Sequence, residues 1–150
     1  MLLLECKPDE VLARRLGRTR RECIHHNDKG RVCNALKRAT GFTGMIDEDP
    51  GSAQPPYLGT LSESPDAHDL RVLLDVKRNH RVVIVRPRLE EWLIKTAQAS
   101  GIKMADFGLS ERGNELHREI NARLPRLEEL LDALNAAGSE RLRYLKSLIV

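Results

Sequence analysis

The amino-acid sequence predicts an α/β fold: a Rossmann-like sheet of mostly parallel strands flanked by helices, with a helical C-terminal extension. Three observations predict it. Residues 1–50 alternate short apolar runs with amphipathic stretches and read strand–helix–strand–helix–strand. Two of those runs end in acids, Leu2–Leu4 at Glu5 and Met45–Ile46 at Asp47, Glu48 and Asp49. Beyond Gly101 only helical periodicity remains. The expected division is therefore an α/β unit over residues 1–100 and a helical extension over 101–150, packed on or beside it.

Leu2–Leu4 fits a buried strand with Glu5 at its carboxyl tip. Lys7-Pro8-Asp9 opens a helix, since proline is tolerated in a first turn, and Val11, Leu12 and Leu16 mark its apolar face up to Gly17. Glu22–His26 reads as the second strand. The next helix carries Val32, Cys33 and Leu36 on one side, with Gly41 as its stop. Residues 52–69 are rich in Ser, Pro and Gly and read as a long surface loop. Leu70–Val76 and Arg81–Val85 read as two strands joined by a hairpin, the second being the more central. Pro87 opens a helix with Leu89, Trp92, Leu93 and Ala97 at helical spacing, which places Trp92 in the core. Ser110–Leu124, Pro125–Ala137 and Ser139–Ile149 read as the helices of the extension, with Arg141, Arg143 and Lys146 on the polar side of the last.

Composition narrows the class. A chain of 150 residues with 41% hydrophobic and 31% charged residues has the make-up of a folded domain, not of a disordered segment. Aromatic residues are only 3%, which argues against a base-stacking platform. The net charge of +3 is carried largely by arginine, whose planar fork suits phosphate. Arg14, Arg15 and Arg18, with Lys29 and Arg31 further on, are the candidate nucleic-acid contacts. The three cysteines form no regular framework and read as reduced thiols of a cytoplasmic protein. The opening MLLLE is too short for a signal-peptide core, and no apolar run approaches the ~20 residues that a membrane span needs.

The stretch TGMIDEDPG, Thr43–Gly51, carries the strongest chemical signal. Strand alternation places Asp47 and Asp49 on one side of the strand tip. Two carboxylates held together repel, and a hard cation relieves that repulsion. An acidic turn is the simpler account of Asp, Pro and Gly in sequence. A zinc site from Cys23, His25, His26 and Cys33 is an alternative with suitable ligands, but Cys23 and His25 share a strand face that His26 does not.

The motifs LLLECKPD and GMIDEDPG, in that order, resemble the two acidic motifs of the Toprim family, a strand ending in glutamate and a strand ending in DxD. The glycine that usually follows the glutamate is Cys6 here. NDKGRVCNAL and IVRPRLEEWL resemble segments of the Toprim domains in overcoming-lysogenisation-defect nucleases. The resemblance covers about residues 1–100. It implies a Toprim sheet and phosphodiester chemistry with Mg²⁺, Mn²⁺ being possible in its place. Glu5 would serve as ligand or general base, Asp47 as main ligand and Asp49 as second ligand. Lys29 would neutralise charge on the phosphate, and Glu90 or Glu91 would complete a second metal position. With no zinc ribbon and no convincing tyrosine nucleophile, a hydrolytic nuclease is the expected Toprim activity. The related nucleases work with an ATPase, and this chain carries no GxxxxGK[ST] loop, so a separate ATPase partner is expected. The alternative expectation is a non-catalytic Toprim-like binding or regulatory subunit.

Overall fold

The computed structural model describes every residue from Met1 to Val150. Its first elements are β1 (Leu2–Leu4), α1 (Lys7–Leu16), β2 (Cys23–His25), α2 (Lys29–Leu36) and β3 (Thr43–Asp47). β1 pairs in parallel with both β2 and β3, with Leu3 opposite Ile24 and Gly44. An antiparallel run follows: β4 (Ser62–Ala67), β5 (Leu70–Asp75) and β6 (His80–Val85). β6 lies parallel to β3 and sets Val85 opposite Asp47. The result is one mixed, mostly parallel six-stranded sheet in the order β2-β1-β3-β6-β5-β4.

Strand alternation divides the core between the two faces. Leu2, Leu4, Met45, Val83 and Val85 face one apolar cluster, whereas Leu3, Ile46, Val82 and Ile84 face the other. The second face is closed by α2 and by Tyr57 and Leu58. Gly44 permits this closure, because a Cβ there would lie 3.1 Å from Leu36 Cδ1. The first face is covered by α1 and α3 (Leu89–Ala99), and by α4 (Gly113–Ala122), α5 (Leu124–Ala136) and α6 (Glu140–Ile149). Leu116, Ile120, Leu127, Leu130, Leu142 and Leu145 of the extension join Leu12 and Leu16 of α1 in that single cluster. The extension therefore completes the core of the sheet's first face.

Three expectations are corrected. Residues 52–69 are not one loop: they hold a 3₁₀ turn at Pro56–Thr60 and the strand β4. β4 is an edge strand with no buried residue, so apolar alternation could not announce it. Its pairing with β5 is irregular between Ser64 and Ala67, around Pro65, which has no N–H to offer the ladder. His68 and Asp69, both at positive φ, form the two-residue turn into β5. α2 ends at Leu36, five residues short of the expected stop, while Gly41 lies in the following turn at φ 74°. Arg141 is not on the solvent side of α6 but buried. Its Nε donates to Thr96 Oγ1 at 2.8 Å, its Nη1 donates to Asp69 Oδ2 at 2.9 Å, and its guanidinium lies 4.9 Å from the centre of the Trp92 ring. Trp92 is in the core as its spacing predicts, and its Nε1 donates to His68 O at 2.8 Å.

Because α4 packs into the same cluster as the sheet, truncating its buried side should weaken the whole fold. Leu116→Ala is expected to cost about 2–5 kcal/mol, as for other buried leucines. Urea unfolding checks this, and loss in a single cooperative transition is the expected form.

Candidate functional site

β1, β3 and β6 run in parallel, so their carboxyl ends open on one edge of the sheet, the edge at which open α/β sheets bind ligands. A cavity of about 280 Å³ lies there. Five carboxylates line it, Glu5, Asp9, Asp47, Asp49 and Glu90, together with Lys29 and His117. Glu5 follows β1, Asp9 sits in the first turn of α1, Asp47 ends β3, and Glu90 belongs to the first turn of α3. Because Asp47 lies two residues beyond Met45 on an extended strand, its side chain takes the face covered by α1 and α3.

Backbone donors hold these acids in place. Asp47 N donates to Glu5 Oε2 at 2.7 Å, which locks the tips of β1 and β3 together. Leu89 N, one of the unpaired donors at the start of α3, donates to Asp47 Oδ1 at 3.1 Å. Asp9 Oδ2 accepts from Cys6 N at 3.1 Å and from Cys6 Sγ at 3.3 Å. Cys6 is extended, with φ −144°, so the backbone there asks for no glycine. Glu90, itself buried, has Oε1 2.6 Å from Nδ1 of His117 on α4.

Burial pushes the Asp47, Asp9 and Glu5 carboxyls above the ordinary carboxylate range. Mutual repulsion adds to this: Asp9, Glu5 and Glu90 act on Asp47, and Glu5 and Glu90 act on Asp9. No three His, Cys, Asp or Glu side chains are drawn around a single point, so the arrangement is an open acidic cleft rather than a closed ligand cage.

Each residue expected from the sequence has a definite place. Glu5, Asp47, Asp49, Glu90 and Lys29 meet in this cavity. Asp49 reaches it from an exposed position at φ 41°, so the strand alternation that relates it to Asp47 ends before it. Lys29 Nζ donates to Glu48 O at 2.8 Å, Ser52 Oγ at 2.9 Å and Gln54 Oε1 at 3.2 Å. An ammonium has three protons, and these three acceptors use them, so Lys29 fastens the 48–54 loop over the cavity. Of the two candidate glutamates on α3, Glu90 turns inward and Glu91 pairs with Arg88. Arg31 lies at the start of α2, exposed, 3.4 Å from Asp28 Oδ2.

Arg14, Arg15 and Arg18 are not brought to the cavity. They lie along the far half of α1 and just beyond it; its ten residues span about 15 Å. There Arg15 pairs with Glu128 and Asp132, Arg18 with Glu22, and Arg14 lies 3.9 Å from Glu10. The zinc alternative loses its geometry, because Cys23 packs toward the first face of the sheet and Cys33 is buried in the second. His25 Nε2 lies 2.7 Å from Glu10 Oε2.

Sequence reasoning did not assign Asp9 and His117 to the site, nor Cys6, Asn27, Arg88 and Leu89, which also line the cavity. Asp9 reads as an ordinary acid in a helix's first turn, and His117 follows Glu90 by 27 residues with no local signal. Comparison with family models, with curated proteins and with solved structures gave no match.

The raised carboxyls make a stability prediction. With no metal bound, the folded chain keeps protons that the unfolded chain releases from about pH 4 upward. The unfolded state then binds fewer protons, so stability falls as pH rises from about 4 through the raised folded values. Asp47→Asn keeps the acceptor for Leu89 N and removes the titrating carboxyl. It should raise the melting temperature in EDTA at neutral pH by at least ~2–4 °C, the equivalent of about 1 kcal/mol, and flatten this pH dependence. Thermal melts of both proteins across that pH range give the answer.

Proposed function

We propose that the chain is a divalent-metal-dependent nuclease of Toprim type that hydrolyses phosphodiester bonds at the cavity on the carboxyl edge of the sheet. The observation that carries the reading is the convergence of Glu5, Asp9, Asp47 and Glu90, from four separate elements, in one cavity without a free cationic side chain to balance them. Lys29 is committed to the 48–54 loop and Arg88 to Glu91. Crowded carboxylates of this kind fit a hard cation such as Mg²⁺ or Mn²⁺, which prefers oxygen ligands.

Glu5, Asp47 and Asp49 would hold the ion, with Asp9 and Glu90 adding negative charge behind them. The bound ion would polarise the phosphoryl oxygen and supply an activated water. The chain's own contribution is placement. The bond from Asp47 N to Glu5 fixes the spacing of the two strand tips, and the start of α3 orients Asp47. Lys29 holds the loop that carries Asp49, since Glu48 O is one of its acceptors. Glu5 Oε1 accepts no backbone hydrogen bond, which supports the alternative role for Glu5, taking a proton from an attacking water instead of binding the ion.

One observation favours a second reading, a non-catalytic binding or regulatory subunit acting with a separate ATPase. Lys29, which the family resemblance casts as the phosphate-neutralising group, is committed to structure. The two readings part in one experiment. Plasmid DNA and structured RNA are incubated with Mg²⁺ or Mn²⁺ and either wild type or Asp47→Ala, beside thermal melts with and without metal. The nuclease reading expects cleavage and a metal-induced rise in melting temperature for wild type, with both lost in the variant. Absence of both effects in wild type would sink it and leave the subunit reading.

A further inference from the structure

α4 presents three distinct faces. Leu116 and Ile120 are buried in the core. Glu115 and Glu119, one turn apart, turn back to the loop before the helix, where Glu115 Oε2 accepts from Ser110 Oγ and Glu119 Oε1 from Ser110 N, each at 2.9 Å. Asn114, His117, Arg118 and Asn121 share the remaining face, and all four are exposed. His117 belongs to the wall of the acidic cavity. Its neighbour Arg118 lines a shallow cavity of about 330 Å³ with Glu119, Ala122, Arg123 and Arg126.

We propose that this face of α4, continued by Arg123 and Arg126 at the start of α5, is the docking surface for a phosphodiester backbone that leads into the carboxylate cavity. The proposal rests on the nuclease reading and names the element that would receive its substrate. Charge is the first argument. A polyanion approaching the carboxylate cavity is repelled, and Arg118, next in sequence to the cavity-lining His117, begins a run of arginines that would offset that repulsion. Availability is the second. The acids of α4 are engaged at Ser110, whereas Arg118 and Arg123 are exposed and form no ion pair. Arg126 Nη1 is engaged with Gly108 O at 2.8 Å and contributes its charge. At the far end of α1 and just beyond it, Arg15 and Arg18 are paired with acids, and the exposed Arg14 and Arg20 beside them lie away from the carboxylate cavity.

Chemistry of the contacts is the third argument. Arginine forks and the Asn114 amide suit phosphate oxygens. Asn121 Nδ2 donates to His117 O at 2.8 Å and stiffens the face. Nδ1 of His117 is held beside Glu90, and the side chain is otherwise exposed. No Phe, Tyr or Trp lies on this face, so it fits the backbone rather than the bases.

Fluorescence anisotropy in EDTA tests the surface without cleavage, using labelled single-stranded and duplex DNA and RNA over a range of salt. The proteins are wild type, Arg118→Gln/Arg123→Gln, and Arg14→Gln/Arg20→Gln, on α1 and the 3₁₀ turn that follows it. The α4 variant should bind about tenfold more weakly at low salt, and the slope of log K against log salt should fall by about two. The α1 variant should bind as wild type, and all three should melt together because the altered residues are exposed. Wild-type affinity in the α4 variant, loss in the α1 variant, or no binding by wild type would each overturn the proposal. Binding through α4 without metal-dependent cleavage would remove the nuclease reading and keep the surface. Cleavage with unchanged binding by the α4 variant would do the reverse.

Discussion

Repulsion among buried carboxylates is the constraint on which the rest of this architecture turns. Parallel strands deliver Glu5 and Asp47 to one edge, and the helices that follow β1 and β6 add Asp9 and Glu90 to the same place. Such a cluster costs stability unless something answers its charge. The chain answers it partly with backbone dipoles: Asp47 N to Glu5, Leu89 N to Asp47 and Cys6 N to Asp9. Those bonds position the acids but do not neutralise them. The fold thus gathers carboxyls at a point where Asp47, Asp9 and Glu5 each resist losing a proton.

The extension matters to this site as much as to the core. α4 is anchored by Leu116 and Ile120 in the cluster that α1 and the sheet share, which carries His117 across to Glu90. α6 is tied down at another point by Arg141, whose guanidinium spans Thr96, Asp69 and the Trp92 ring. A buried arginine with partners in α3 and in the β4–β5 turn makes these elements one packed unit. A residue of the extension can therefore hold a fixed position relative to acids more than a hundred positions earlier.

Basic residues divide into those committed to structure and those left open. Lys29 fastens the loop behind Asp49, and Arg15 and Arg18 pair with acids of α5 and of the Arg20–Glu22 turn. Counting arginines along the chain could not separate these from Arg118 and Arg123, because the distinction lies in where the carboxylates fall after folding.

The sequence by itself determined the α/β class, the strand–helix alternation of the first half and the placement of Glu5 and Asp47 at strand tips. These follow from local periodicity and from acids ending apolar runs, signals that are complete within a few residues. Edge strand β4 escaped notice because a strand with no buried side has no alternation to display. The burial of Arg141 and the commitment of Lys29 escaped for a different reason, since each depends on acceptors far away in the chain. Only the tertiary structure decided that Asp9 and His117 belong with the strand-tip acids, and that Arg14, Arg15 and Arg18 do not. Local sequence sets which way a side chain leaves its own element. The packing of α1, α3 and α4 on one face of the sheet sets which side chains meet.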